Sequence, residues 1–144
     1  MKMLLPVDGS EISLAAVRFA VRLVREGWRA TAVLANVQEP ASLYYRLVAH
    51  EAEVLEQIST DAGLHAMAQA EALLQQAGIP YEREVGKGDP AHTLLDIVER
   101  HGCDLVLMGA RGSGTLRSAL LGSVSHEVLH AAGVPVMIVK PQDD

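Results

Sequence analysis

Cysteine and aromatic residues are scarce in this chain of 144 residues. The single cysteine, Cys103, excludes an internal disulfide and fits a reducing compartment. It stands just before an apolar segment, where a small buried filler is the favoured interpretation and a reactive thiol is the alternative. Phe, Trp and Tyr together make up 3% of the residues. The core must therefore consist mainly of Ala, Val, Leu and Ile, which suit close packing of helices on a sheet.

A positive net charge and long apolar runs are also absent from the sequence. Lys and Arg number 12 against 18 Asp and Glu, which gives a formal net charge of −6. Such a surface repels nucleic acids and anionic lipids, so we expect neither as a partner. No apolar run approaches the roughly 18 residues of a membrane span, and the apolar start from Met1 to Val7 lacks the shape of a signal peptide. These features predict a cytoplasmic protein without membrane association.

What the chain does have is a regular alternation of strand and helix patterns. Its length and its 49% hydrophobic content predict one domain over residues 1–144. Helical periodicity separates the apolar runs, and Asp89-Pro90 has the form of a helix start. The segment Leu43–Leu55 is ambiguous between a packed helix, a lid and a partner surface. The predicted strands are Met3–Val7, Ala30–Val37, Tyr81–Val85, Leu105–Met108 and Val134–Val139.

This alternation predicts an α/β fold, a doubly wound five-stranded parallel sheet with helices on both faces. The first, second and fourth strands are almost entirely apolar and should be central. The third alternates with charges and the fifth carries Pro135, so both should lie at edges. Right-handed crossovers then favour the order 3-2-1-4-5. Ligands of such sheets bind where strands one and four end, which here means the loops at Asp8 and Gly109.

The stretch from Gly109 to Gly122 carries the most functional information. It is longer than the usual connection of about 2–6 residues, and it feeds into a helix predicted to begin near Ser123. Glycine lets the backbone approach a ligand closely, and a helix N-terminus carries roughly half a positive charge. Phosphate is therefore the predicted ligand; the alternative is that the glycines only turn the chain. The glycines are Gly109, Gly112, Gly114 and Gly122, and the polar residues are Arg111, Arg117, Ser123 and Ser125.

Two common phosphate-binding motifs are absent. The sequence contains no G-x-x-x-x-G-K-[ST], so no P-loop lysine can reach the phosphates. No G-x-G-x-x-G follows the first strand, which argues against a dinucleotide-binding fold.

The glycine stretch instead resembles the ATP-binding branch of the universal stress protein family, whose motif is G-x2-G-x9-G-[ST]. Here the motif is complete: Gly109, Gly112, nine further residues, then Gly122-Ser123. The similarity extends to the segments beginning at Pro6, Gly88 and Val134, and so covers nearly the whole chain. It implies the flavodoxin-like, adenine nucleotide α-hydrolase-like fold class and an ATP, ADP or AMP ligand. Mg²⁺ would enter only with ATP, because the resemblance implies no metal ligand on the protein itself.

The resemblance also implies which residues surround the nucleotide. Asp8 would lie near the base or ribose, Val37 would meet the adenine through its backbone, and Met108 with Gly109 would form the floor. Asn36 stands where many relatives have histidine, which leaves details of the pocket open. The full set of implied nucleotide-binding residues is Pro6, Asp8, Val37, Met108, Gly109, Arg111, Gly112, Ser113, Gly122, Ser123, Val124 and Ser125.

Several residues allow an alternative interpretation. Asp8 could cap the first helix in place of binding a ligand, although Ser10 could supply that cap. Among the six histidines, His126 and His130 share one helical face, but no third metal ligand stands nearby in the sequence. We therefore predict neither a metal site formed by the protein nor a catalytic residue.

The last strand is apolar on both faces although it is predicted to be an edge. Such an edge invites pairing, so we expect a homodimer through Val134–Val139, as the family resemblance also implies. The favoured function is a nucleotide-sensing or stress-response regulator. The alternatives are a slow ATPase or autophosphorylating enzyme that uses the same site, and a partner-binding module with an empty pocket.

Overall fold

The computed structural model describes residues 1–39, 52–110 and 121–140, with residues 52–59 described by their backbone alone. Strands and helices alternate along the chain as the sequence predicts. The strands are β1 (Lys2–Pro6), β2 (Thr31–Gln38), β3 (Tyr81–Lys87), β4 (Leu105–Gly109) and β5 (Val136–Val139). The helices are α1 (Glu11–Arg25), α2 (Ala52–Ala77), α3 (Pro90–His101) and α4 (Ser123–Ala131).

The five strands form one parallel sheet in the order β3-β2-β1-β4-β5, which confirms the predicted topology. The residues of β4 are all buried, whereas β3 exposes Glu82, Arg83 and Lys87 at its edge. The strand β5 begins at Val136, two residues later than predicted. Pro135 just before it has no N–H to give to a strand ladder, although its carbonyl still accepts from the Val106 N–H at 2.9 Å.

Helices cover both faces of the sheet, as predicted. On one face, α1 and α2 bury residues such as Leu14 and Met67 against the sheet. On the other, α3 and α4 bury Leu94 and Val128. Successive strand residues point to opposite faces, so in β1 Met3 and Leu5 join the first cluster while Leu4 joins the second.

The helix α2 begins at Ala52, inside the segment that is ambiguous in the sequence. Most of the residues from Ala52 to Gln57 are good helix formers, which favours the helical interpretation of this end of the segment. The ambiguous segment Leu43–Leu55 therefore ends inside α2, and its earlier part lies outside the described residues. Among the helices described, none combines the length and the apolar character needed to cross a membrane.

Candidate functional site

The strands β1 and β4 are neighbours at the centre of the sheet, with Met3 beside Leu105 and Leu4 beside Val106. Because these two strands are parallel, the loop after β1 and the stretch after β4 leave from the same end of the sheet. The helices that follow them, α1 and α4, pack on different faces. This is the switch point at which doubly wound sheets bind their ligands.

The turn after β1 is fixed by its own side chains. Oδ1 of Asp8 accepts from the Ser10 N–H at 2.9 Å, and Oγ of Ser10 accepts from the Ser13 N–H at 3.2 Å. Ser10 is thus the N-cap of α1, which decides between the two caps considered from the sequence. The Ser13 hydroxyl accepts from the Asp8 N–H at 3.3 Å and donates to the Ser10 carbonyl at 2.9 Å. The carboxylate of Asp8 stays exposed at the crevice, held in place by the turn.

Gly9 gives this turn its shape. Its φ of +85° is a conformation that side-chain-bearing residues rarely adopt. A Cβ built there would lie 3.6 Å from Ala66 of α2, so the helix packs directly over the turn.

The last residue of β4, Gly109, lies so close to α1 that only glycine fits there. A Cβ at Gly109 would lie 2.7 Å from Cγ2 of Ile12 and 2.8 Å from its backbone oxygen. Gly109 is therefore required by the packing of the first turn of α1, whatever ligand binds nearby. The sequence gives no sign of this contact, because Ile12 and Gly109 are distant along the chain.

The two ends of the glycine stretch lie next to each other at the end of β4. The N–H of Gly122 donates to the Ala110 carbonyl at 2.8 Å, which joins the two ends of the stretch. Three implied nucleotide ligands, Arg111, Gly112 and Ser113, lie between those ends and outside the described residues.

Within the part of the chain that the structure describes, no side-chain cap is seen at the N-terminus of α4. Gly122 is its N-cap residue and makes no side-chain hydrogen bond, while its carbonyl accepts from the His126 N–H at 2.9 Å. Within α4, the N–H groups of Ser123, Val124 and Ser125 are too early to have an intrahelical carbonyl partner. Ser123 is exposed and Val124 is half-buried. This end of the helix therefore offers hydrogen-bond donors and a partial positive charge to a ligand.

Ser125 braces the site. Its side chain is buried, and its hydroxyl donates to the Gly109 carbonyl at 2.9 Å. That bond links α4 to the end of β4 and occupies the hydroxyl hydrogen of Ser125. The backbone N–H of Ser125 lies in the first turn of α4, where it can donate to a ligand. The sequence suggests only a polar residue near the phosphates and gives no signal for this contact.

Asn36 fixes the neighbouring end of β2. It is buried, its Nδ2 donates to the Val7 carbonyl at 2.8 Å, and its Oδ1 accepts from Nε2 of Gln38 at 2.6 Å. A Cβ at Gly63 of α2 would lie 2.9 Å from this Oδ1, so the amide is enclosed from that side as well. Asparagine at this position thus joins β2 to the end of β1, next to Val37.

The remaining implied site residues differ in what they offer. Pro6 and Val37 are half-buried, at the ends of β1 and β2. Met108 is buried in the cluster under α3 and α4, so only its backbone is placed to form the floor of a pocket. The structure brings Pro6, Asp8, Met108, Gly109 and the start of α4 to one edge of the sheet, with Val37 on the adjacent strand.

Cys103 lies just before β4, at the other end of that strand from the site. It is buried, and this burial raises the pKa of its thiol above the ordinary value. A raised pKa leaves less thiolate, the reactive form, which favours the filler interpretation over a reactive cysteine.

The sequence model of the Universal stress protein family matches residues 1–140. Universal stress protein YxiE of Bacillus subtilis is 30% identical over 145 positions, which cover 96% of this chain and 98% of that protein. Universal stress protein MJ0531 of Methanocaldococcus jannaschii is 29% identical over 140 positions, covering 96% of this chain and 81% of its own.

Solved structures show the same fold. Protein MJ0577 of Methanocaldococcus jannaschii superposes with a TM-score of 0.84 at 24% identity, covering 99% of this chain and 97% of the other. A universal stress protein in complex with cAMP has a TM-score of 0.70 at 25% identity, with 96% of each chain covered. A universal stress protein family protein from Arabidopsis thaliana with AMP bound has a TM-score of 0.71 at 21% identity, covering 100% of this chain and 94% of that one. With the family model matching almost from end to end, the chain belongs to the universal stress protein family.

Proposed function

We propose that this chain binds an adenine nucleotide, ATP in the first place, in the crevice beyond the ends of β1 and β4. The observation that carries the proposal is the N-terminus of α4, which follows directly on the glycine stretch and whose N-cap residue, Gly122, makes no side-chain hydrogen bond. Uncapped N–H groups and the helix dipole together favour an anion such as phosphate. The cAMP and AMP complexes of similar fold support a nucleotide as the source of that phosphate.

In this proposal the phosphates lie against the first turn of α4. The backbone N–H groups of Ser123, Val124 and Ser125 donate to phosphate oxygens, with the exposed Ser123 hydroxyl beside them. Arg111, Gly112 and Ser113 add contacts from the glycine stretch, and Gly122 keeps the entrance free of a side chain. Mg²⁺, where present, is held by the phosphates of ATP.

The adenosine end lies across β1 and β2. Asp8 is exposed at the crevice with one oxygen held by the Ser10 N–H, which suits an acceptor for ribose or base donors. The backbone of Val37 meets the adenine, and Asn36 supports it by joining β2 to the Val7 carbonyl. Pro6 and the backbone of Met108 and Gly109 complete the floor. Residues 1–144 thus act as one nucleotide-binding domain.

The site favours holding a nucleotide over cleaving it. Efficient phosphoryl transfer requires cations on the γ-phosphate and a group that positions the nucleophile. The stretch from Gly109 to Gly122 supplies Arg111 and Arg117 but no lysine, and Asp8, with one oxygen already bonded to the Ser10 N–H, is the carboxylate that could position a nucleophile. We therefore propose a nucleotide-sensing regulator. Slow hydrolysis or autophosphorylation is the second candidate, since the exposed Ser123 hydroxyl stands where the phosphates would lie.

The proposal includes a homodimer formed along β5. The carbonyls of Pro135 and Val139 accept from the Val106 and Ala110 N–H groups at 2.9 and 3.0 Å, so these residues face β4. By the two-residue period of a strand, the backbone groups of Val136 and Ile138 face away from the sheet. Both side chains are half-buried and apolar, which suits pairing with a second copy. The net charge of −6 disfavours binding to nucleic acids and anionic membranes. We propose that the protein is cytoplasmic and has neither kind of partner.

Calorimetric titration with ATP, followed by measurement of phosphate release on the same sample, tests the proposal. We expect one ATP bound per chain and almost no turnover. Absence of binding would contradict the nucleotide site. Rapid turnover that is lost in Asp8→Ala would instead favour the enzyme.

A further inference from the structure

A second group of ligand-bearing side chains lies outside the nucleotide crevice. Asp89 and His92 are at the start of α3, and Glu127 is in the second turn of α4. One ligand atom from each of these three side chains lies within 4.8 Å of the other two. All three side chains are exposed, so solvent ions reach them freely.

The three groups lie on packed helices or directly at the start of one. Asp89 is the N-cap of α3, and its Oδ2 accepts from the His92 N–H at 3.0 Å. His92 follows Ala91, which is 2% exposed, and Glu127 precedes Val128, which is 0% exposed. Both buried neighbours belong to the same cluster between α3, α4 and the sheet. Donors on packed helices keep their spacing better than donors on loops, which favours a binding site.

The charges at this position favour a cation. Two carboxylates held close together repel each other, and the imidazole Nδ1 of His92 lies 3.5 Å from Oδ2 of Asp89. The N-terminus of α3 opposes a cation with a partial charge of about +0.5. Two full negative charges exceed that partial charge, so a bound divalent ion would lower the electrostatic free energy of the cluster.

The donor set selects among cations. One imidazole nitrogen with two carboxylate oxygens suits Zn²⁺, Co²⁺ or Mn²⁺, whereas Mg²⁺ and Ca²⁺ prefer oxygen ligands alone. Zn²⁺ takes nitrogen and oxygen ligands at about 2.0–2.2 Å, and exposed side chains can close to that range by small rotations. We propose that Asp89, His92 and Glu127 form a transition-metal site of the Zn²⁺ type, with three protein ligands and an open position toward solvent. This site is independent of the proposed nucleotide site.

Calorimetric titration of the nucleotide-free protein with ZnCl₂ tests this proposal. We expect His92→Ala and Glu127→Gln each to weaken Zn²⁺ binding at least about tenfold, since loss of even an outer-shell partner costs that much. Asp89→Asn should do the same while keeping the helix cap, because asparagine caps as well as aspartate. MgCl₂ in place of ZnCl₂ should give no comparable heat.

The neighbouring histidine pair supplies the control. The rings of His126 and His130 on α4 have centroids 4.4 Å apart and are a competing place for Zn²⁺. His126→Ala should leave Zn²⁺ affinity unchanged. Loss of binding in His126→Ala, full binding in His92→Ala and Glu127→Gln, or no Zn²⁺ binding by the unmodified protein would each overturn the proposal. Circular dichroism of each variant establishes that the fold is retained.

Discussion

Gly109 belongs to the glycine motif for which we propose nucleotide binding, yet its surroundings require glycine before any ligand is considered. The space for a Cβ is occupied by Ile12, whose backbone oxygen would lie 2.8 Å away. Because that oxygen is part of α1, relief would need the helix to move. Packing alone therefore accounts for glycine at this position, whether or not a phosphate approaches it.

Replacement of Gly109 by alanine should therefore destabilise the nucleotide-free protein. Overpacking of this kind costs about 1–3 kcal/mol, which corresponds to a lower melting temperature by several degrees. Thermal unfolding without nucleotide measures the effect.

Gly133→Ala is the matched control, because a Cβ at Gly133 meets nothing within 4 Å. That variant should be neutral or slightly stabilised, since alanine restricts the unfolded chain. Equal melting temperatures for the two variants would contradict the packing role of Gly109.

Among the elements, α4 determines most of the site. Its N-cap residue, Gly122, makes no side-chain hydrogen bond and donates its N–H to the Ala110 carbonyl, and its third residue, Ser125, donates to the Gly109 carbonyl. Glycine at an N-cap is only about a few tenths of a kcal/mol less favourable than Ser, Asp or Asn. Unlike those residues, it has no side-chain acceptor that would compete with an anion for the N–H groups of the first turn.

Gly122→Asp tests this role of α4, with opposite effects expected on stability and binding. The backbone of Gly122, at φ −67° and ψ 160°, already has the extended conformation of an N-cap. An aspartate should cap the helix and raise the stability of the nucleotide-free protein by about 0.3–1 kcal/mol. The same carboxylate should repel the phosphates and remove the rise in melting temperature that ATP causes.

Thermal unfolding with and without ATP measures both effects. The control is Gly133→Asp, which adds the same charge at an exposed position beyond the other end of α4. It should keep the ATP-induced rise. A Gly122→Asp protein that ATP stabilises as much as the unmodified one would place the phosphates elsewhere.

The elements and their order follow from sequence patterns, while the contacts between elements do not. Charge alternation in β3 and Pro135 before β5 are local signals, and they suffice to place both strands at edges. The hydrogen bonds from Ser125 to Gly109 and from Asn36 to Val7 join segments that are distant in the sequence, so no local pattern predicts them. Similarly, Glu127 joins Asp89 and His92 only because α3 and α4 pack side by side.

The strand β5 lies at the edge of the sheet, and we expect two copies of the chain to form a homodimer along it. The outward backbone groups of Val136 and Ile138 would form the ladder of the proposed dimer. Ile138→Pro removes one outward N–H and leaves the bonds toward β4 intact, so we expect a folded monomer.

Light scattering coupled to size exclusion measures the mass of each variant. Ile138→Val, which keeps the N–H and the β-branched shape, should remain dimeric. A dimeric Ile138→Pro protein would show that the copies associate through another surface.

We propose that an adenine nucleotide binds at the N-terminus of α4, and backbone amide NMR with and without ATP is the decisive experiment. The amide signals of Ser123 and Val124, together with those of Asp8 and Gly9, should shift as ATP is added. The amide signals of Lys2 and Cys103, which lie near the amino ends of β1 and β4, should not shift. Shifts confined to other parts of the described chain, or no shifts at saturating ATP, would contradict the claim.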